Sequence, residues 1–126
     1  MNNTDPGNGW VAVPAQTADT AVVELHGDID ITTAEVLEDC VVAGVTGGAD
    51  VSVDMADVTL IDGASLNALV RAGRIADRCG RTIRLVAPSP FVRRTLAAAG
   101  LGKEFPVTGD RWQALGELAP EPDTLA

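Results

Sequence analysis

The stretch that decides the fold runs from Asp50 to Gly80 and reads DVSVDMADVTLIDGASLNALVRAGRIADRCG. Its first part, Val51 to Met55, is apolar and rich in β-branched residues, the composition of a buried strand. A turn at Ala56-Asp57 then leads to a second apolar run, Val58 to Ile61. The run stops at Asp62-Gly63-Ala64-Ser65, and from Ala64 to Cys79 the period changes to that of a helix. Leu66, Leu69, Val70, Gly73 and Ala76 fall on one stripe, with Asn67, Arg71, Arg74 and Arg78 opposite. Arg78 suits the negative end of the helix dipole, and Gly80 stands where a left-handed cap is wanted. An acidic residue and three small ones at a helix start leave backbone N–H groups facing outward, a place for an anion or a partner protein.

The same strand-then-helix alternation extends in both directions. Upstream, Ala21 to His26 reads as a strand that Gly27 ends, and Asp28-Ile29-Asp30 leads out of it. Thr32 with Glu35 makes a capping box for a first helix. Its apolar stripe is Val36, Leu37, Cys40, Val41 and Gly44, with the Gly47-Gly48 pair as its exit. Trp10 to Pro14 reads as an edge strand, since proline is tolerated there and not centrally. Downstream, Thr82 to Ala87 is a strand, and Ser89-Pro90 opens a third helix. Phe91, Val92, Thr95, Leu96 and Ala99 are expected to face inward, and Gly100 closes the helix. Leu101 to Val107 is a connection with a short last strand. Asp110 and Gln113 cap a short helix carrying Trp112, Leu115 and Leu118. Residues 1–9 read as a disordered lead-in, 10–119 as one domain and 120–126 as a loose acidic tail.

These elements make an α/β sandwich, a mixed and mostly parallel sheet of four to five strands with about four helices. Functional loops of such sheets lie at the carboxyl ends of the strands. Asp28 to Thr33 and Asp62 to Ser65 share that edge and are expected to act together.

Composition narrows the function. A length of 126 residues suits one domain that buries an ordinary core, and the 46% apolar content with 3% aromatics points to Val, Leu, Ile and Ala as its material. A net charge of −9 repels phosphate backbones and anionic membranes, so neither nucleic acid nor a bilayer is an expected partner. No apolar run approaches the ~18 residues of a membrane span, and no signal peptide is legible, so a cytoplasmic protein is expected. Two cysteines, Cys40 and Cys79, do not form a disulfide framework there. They are candidates for a redox-controlled pair if their helices pack on one face. Asp28, Asp30 and Asp54 with Lys103 loosely imitate a phosphoacceptor pocket, but capping and turn roles explain the acids better. His26 lies within a strand without a local partner, so nucleophilic catalysis lacks its base. No metal, cofactor or catalytic group is expected.

Three ordered stretches resemble the STAS domain of bacterial anti-sigma factor antagonists. They are Leu25-His26-Gly27-Asp28-Ile29-Asp30-Ile31-Thr32-Thr33-Ala34, the string from Asp54 to Leu66, and Leu85 to Leu96 followed by Ala99-Gly100-Leu101. The resemblance covers about residues 10 to 119. It implies a protein-interaction switch and not an enzyme. An antagonist of this kind binds an anti-sigma factor, typically a serine kinase with an ATP-binding fold, and frees the sigma factor. Some members assemble with relatives, so self-association is a further behaviour the resemblance implies. A scaffold part of a larger signalling or transport assembly is the alternative.

On this resemblance the partner-binding residues are Asp28, Asp30, Thr32, Thr33, Asp62, Gly63, Ala64, Ser65 and Leu66. The family's kinase ends the contact by phosphorylating a serine directly after the loop aspartate. Gly63 stands at that position and has no hydroxyl. The resemblance then leaves three options: partner binding without a phosphorylation off-switch, phosphorylation of Ser65 instead, or a different partner.

Overall fold

A computed structural model of the chain describes residues 9–109. The helix expected after Asp110, the tail and residues 1–8 lie outside the described residues. The elements are β1 (Trp10–Gln16), β2 (Thr20–Ile29), α1 (Ile31–Thr46), β3 (Asp50–Ile61), α2 (Gly63–Cys79), β4 (Ile83–Val86), α3 (Pro90–Ala98) and β5 (Val107–Thr108). They form one five-stranded sheet in the order β1-β2-β3-β4-β5. Only the β1–β2 pair is antiparallel. The α/β sandwich with a mostly parallel sheet is thus present, with three helices among the described residues.

Alternation explains the core. Ala21, Val23 and Leu25 of β2, Val51, Val53 and Met55 of β3, and Ile83 and Leu85 of β4 turn to one face of the sheet. They meet Leu37, Val41 and Val45 of α1 and Leu66, Leu69, Ala72 and Ala76 of α2 in one buried cluster. Roughly 25 cal/mol for each Å² of apolar surface removed from water makes this packing the main stabilising term. On the outer side of these helices, Arg71 donates from Nε and Nη2 to the Glu38 carboxylate at 3.1 and 2.9 Å. That bond holds the Glu38 carboxyl below its usual range. The arginine stripe of α2 is therefore partly engaged with α1.

Several expected boundaries move, each for a local reason. The segment from Asp50 to Ile61 is one strand and not two with a turn between. The register against β2 advances by one extra β3 residue between the Glu24–Asp54 and His26–Asp57 pairs. It does so again between the Gly27–Val58 and Asp28–Leu60 pairs. These are β-bulges. At the first, Asp54 Oδ1 accepts the Ala56 amide at 3.0 Å, a local bond that in sequence reads as turn chemistry. Gly27 does not end β2 but sits inside it with a φ of 78°, opposite these bulges.

The cap of α1 is Asp30 and not Thr32: the Asp30 side chain accepts from the Thr32 and Thr33 amides. The stripe of α1 accordingly runs Thr33, Leu37, Val41, Val45, and Val36 is 49% exposed. In α3 only Val92 and Leu96 are buried. Phe91 points outward and Ala99 is exposed. Phe105, from the connection before β5, enters the core instead and lies so close to Gly73 that a Cβ there would be 3.1 Å from its ring.

Candidate functional site

The carboxyl ends of β2 and β3 and the N-termini of α1 and α2 meet at one edge of the sheet. Asp30 opens α1 and Asp62 opens α2, each in extended backbone with its carboxylate turned back on the first-turn amides. Asp30 Oδ1 accepts the Thr32 amide at 3.0 Å and the Thr33 amide at 3.1 Å. Asp62 Oδ1 accepts the Ser65 amide at 2.9 Å. Between the two caps, Ile29 pairs with Ile61, and Asp28 pairs with Leu60. The Thr59 hydroxyl donates to the Asp28 carboxylate.

Ser65 ties the two halves together. Its hydroxyl lies 2.7 Å from Asp62 Oδ1 and 3.1 Å from the carbonyl oxygen of Ile29, and the residue has no exposed surface. One hydroxyl proton is shared between these acceptors, the shorter contact being to the charged one. That bond, followed by the Ser65 amide, holds the Asp62 carboxyl below its ordinary value of 3.8. Asp62 is therefore ionised at neutral pH, where a negative group at a helix N-terminus is favoured.

The nine residues singled out from the sequence divide by exposure. Asp30, Thr32, Asp62 and Gly63 are exposed, and Asp28 and Ala64 are half-buried. Thr33, Ser65 and Leu66 are buried, so they position the edge from below and offer no surface to a partner. Two exposed apolar side chains belong to the edge and were not singled out: Ile31, 48% exposed at the first position of α1, and Leu60, 51% exposed beside Asp28. In sequence Val58 to Ile61 is simply an apolar run; the second bulge turns Leu60 outward. The surface is thus three carboxylates around a few exposed apolar atoms, able to attract cations and to bury apolar surface against a partner.

Gly63 begins α2, and a Cβ placed there would meet no atom within 4 Å. The position has room for a side chain that the sequence does not supply. The Ser65 hydroxyl is buried and engaged by Asp62 and Ile29, so it is reached from solvent only by opening the helix start.

The cysteines are both free. Cys40 is half-buried, and burial, with Asp39 adding to it, pushes its thiol up; Cys79 is exposed. Arg71 sits opposite Glu38. Cys79 is eight residues beyond Arg71 and Cys40 two beyond Glu38, which offsets them by roughly 9 Å along the helices at 1.5 Å per residue. A disulfide takes Cα atoms within about 7 Å. Among the described residues no group of three or more His, Cys, Asp or Glu could hold a metal ion, and no helix is long and apolar enough to cross a membrane.

Comparison with known proteins agrees with this architecture. The family model described as Mlab, STAS domain, matches residues 13–109. No curated protein matches the chain. Among solved structures, an anti-sigma factor antagonist from Mycobacterium paratuberculosis is similar at 25% identity, with 92% of this chain and 98% of that one covered and a TM-score of 0.74. The Bacillus anti-sigma factor antagonist SpoIIAA in its unphosphorylated form is similar at 18% identity, over 90% and 99% of the two chains, with a TM-score of 0.74. Murine Slc26a9, an anion transporter, has the same fold in a part of its chain: 16% identity, 89% of this chain, 22% of that one, TM-score 0.65.

Proposed function

The chain belongs to the STAS-domain family, and we propose that within it the protein is an anti-sigma factor antagonist. It binds an anti-sigma factor of the ATP-binding serine-kinase kind and so releases a sigma factor. The observation that carries this reading is the likeness to the mycobacterial antagonist over nearly the whole of both chains. The edge supplies the means. Asp28, Asp30 and Asp62 steer toward basic groups of the partner, which raises the association rate, and Ile31 and Leu60 supply apolar surface whose burial slows dissociation.

The contact is not ended by phosphate on this loop. Gly63 has no hydroxyl, and the hydroxyl of Ser65 is spent on Asp62 and Ile29. A phosphate in that place adds about −1.5 to −2 charges beside three carboxylates, which is how phosphorylation would expel a partner where an acceptor exists. This protein keeps the surface and lacks that means of expulsion. It acts by docking and performs no catalysis.

A second reading, as a component of a transport assembly, draws on the same fold standing inside an anion transporter. Cross-linking the protein to its neighbours in the cells that make it, followed by mass spectrometry of the cross-linked peptides, separates the two. Cross-links from the Asp28–Thr32 and Leu60–Gly63 segments to an ATP-binding kinase-fold protein support the first reading. Cross-links from those segments to a membrane transport subunit support the second and refute the first.

A further inference from the structure

The face of the sheet away from α1 and α2 adjoins the docking edge and carries a pattern of its own. Ile29 of β2 and Val58 and Ile61 of β3 enter the core, so their neighbours Asp28, Asp57 and Leu60 turn the other way. His26 lies on the same face, with Nε2 3.0 Å from Glu24 Oε1 and Nδ1 3.1 Å from Asp57 Oδ2. Trp10, paired with His26 across the β1–β2 ladder, stacks on that ring with centroids 4.0 Å apart and planes 11° from parallel. The indole is thus held on one side and is still 42% exposed.

We infer that the partner's footprint continues from the edge onto this face, where Trp10 and Leu60 receive a basic amphipathic helix of the same anti-sigma factor. The inference rests on the reading of the edge given above and adds the chemistry of what binds there. Trp10 and Leu60 are both large, apolar and exposed, and Leu60 already belongs to the edge, so the two surfaces are continuous. Between them the face is acidic: β1, β2 and β3 place Glu24, Asp28 and Asp57 on it and contain no lysine or arginine. Trp10 and Leu60 stand two strand spacings and two residues apart, roughly 12 Å at 4.8 Å between strands and 3.4 Å per residue. About eight residues of α-helix at 1.5 Å each span that distance, so apolar side chains two turns apart on one helix reach both. Arginine or lysine between them then lies over the carboxylates, and an arginine can also cover the open face of the indole.

Other occupants fit less well. A second copy of the chain brings the same acids and a net charge of −9. Residues 112–126 carry Glu117, Glu121 and Asp123 and no basic residue. A cationic partner meets no such repulsion. Because stacking on His26 already fixes the indole, covering it costs little side-chain freedom, the condition under which a tryptophan becomes a binding anchor.

Titration calorimetry of the full chain against each purified anti-sigma serine kinase of its source organism tests this, with the Trp10 indole N–H followed by NMR. That resonance, identified by its loss in Trp10→Phe, is expected to move on binding. Trp10→Ala is expected to weaken binding about tenfold or more, and Trp10→Phe, which keeps a ring on His26, to weaken it less. Asp57→Asn, at a half-exposed position, is expected to slow association about two- to threefold at low salt and not at high salt. Binding that is weakened by Ile31→Arg but indifferent to Trp10→Ala and Asp57→Asn, with the indole signal unmoved, overturns this footprint and leaves the reading of the edge standing. An indole signal that moves only with the chain's own concentration places a second copy on the face and overturns it as well. Binding by none of the kinases overturns both readings together.

Discussion

Replacing Ser65 by Ala separates a structural serine from a regulatory one. The side chain has no exposed surface, and its hydroxyl is placed between Asp62 Oδ1 at 2.7 Å and the Ile29 carbonyl at 3.1 Å. Alanine keeps the Cβ, so only a space of oxygen size opens and the cavity contribution is small. What is lost is one hydrogen bond to a charged acceptor, worth about 1.5–3 kcal/mol, while Asp62 keeps the Ser65 amide and contact with water. For a chain of this length that loss lowers the melting temperature by roughly 5–12 °C. Urea unfolding followed by circular dichroism measures it as a lower midpoint at an unchanged slope. A loss under about 0.5 kcal/mol, the range of an inconsequential surface change, would refute the reasoning. Ser65 would then be free to serve another purpose.

Other predictions follow from the same edge. Gly63→Ser fills open space at the start of α2, so its stability should stay within about 0.5 kcal/mol of the parent or slightly exceed it, checked by the same unfolding. It should also give the loop an exposed hydroxyl that an anti-sigma kinase with ATP can phosphorylate, read by intact-protein mass. Asp62 has its folded pKa depressed, so its contribution is present above the unfolded value and is lost as the pH falls below 3.8 through the folded one. Asp62→Asn should flatten that part of the acid unfolding curve, while an unchanged curve would deny the Ser65–Asp62 link. Thiol titration of the native protein should find Cys79 reacting at once and Cys40 slowly, and oxidant should not remove both thiols within one molecule. An intramolecular disulfide in the peptide map would show that the offset of the helices is smaller than argued.

Much of the frame is legible in the sequence because it depends on local periods. The alternation in Ala21–Leu25 and Val51–Met55, the Leu66, Leu69 and Ala76 positions of the α2 stripe, the left-handed cap at Gly80 and the Ser89 cap of α3 are where the pattern puts them, while Val70 and Gly73 are half-buried and Ala68 and Ala72 join the buried face. The misplacements arise where two local rules compete or where the partner is remote. Asp30-x-x-Thr33 and Thr32-x-x-Glu35 overlap by two residues, and the carboxylate at Asp30, which can accept two amides, takes the cap. The bulges in β3 are set by pairing with β2 and leave no trace in β3 beyond Asp54, so the exposure of Leu60 within an apolar run is not legible.

The site divides in the same way. Asp28, Asp30 and Asp62 are visible as acids at strand ends, where caps are expected. That Ser65 is locked inside depends on a carbonyl 36 residues away, and that His26 has two carboxylates depends on Asp57, 31 residues away on the next strand. Neither distance has a sequence signature. The absence of a hydroxyl at Gly63, in contrast, is plain from the resemblance alone, and the burial of Ser65 makes it consequential.

The central claim is that this edge docks an anti-sigma factor and has no phosphate switch. It is tested most directly by calorimetric titration of the protein with each purified anti-sigma serine kinase of its source organism, with ATP and without. One kinase is expected to bind, to lose about tenfold in affinity or more with Leu60→Arg, equivalent to about 1.4 kcal/mol, and to bind equally well after prolonged incubation with ATP. Binding by none of them, binding indifferent to Leu60→Arg, or release of the protein with phosphate on the Asp62–Leu66 segment would contradict it.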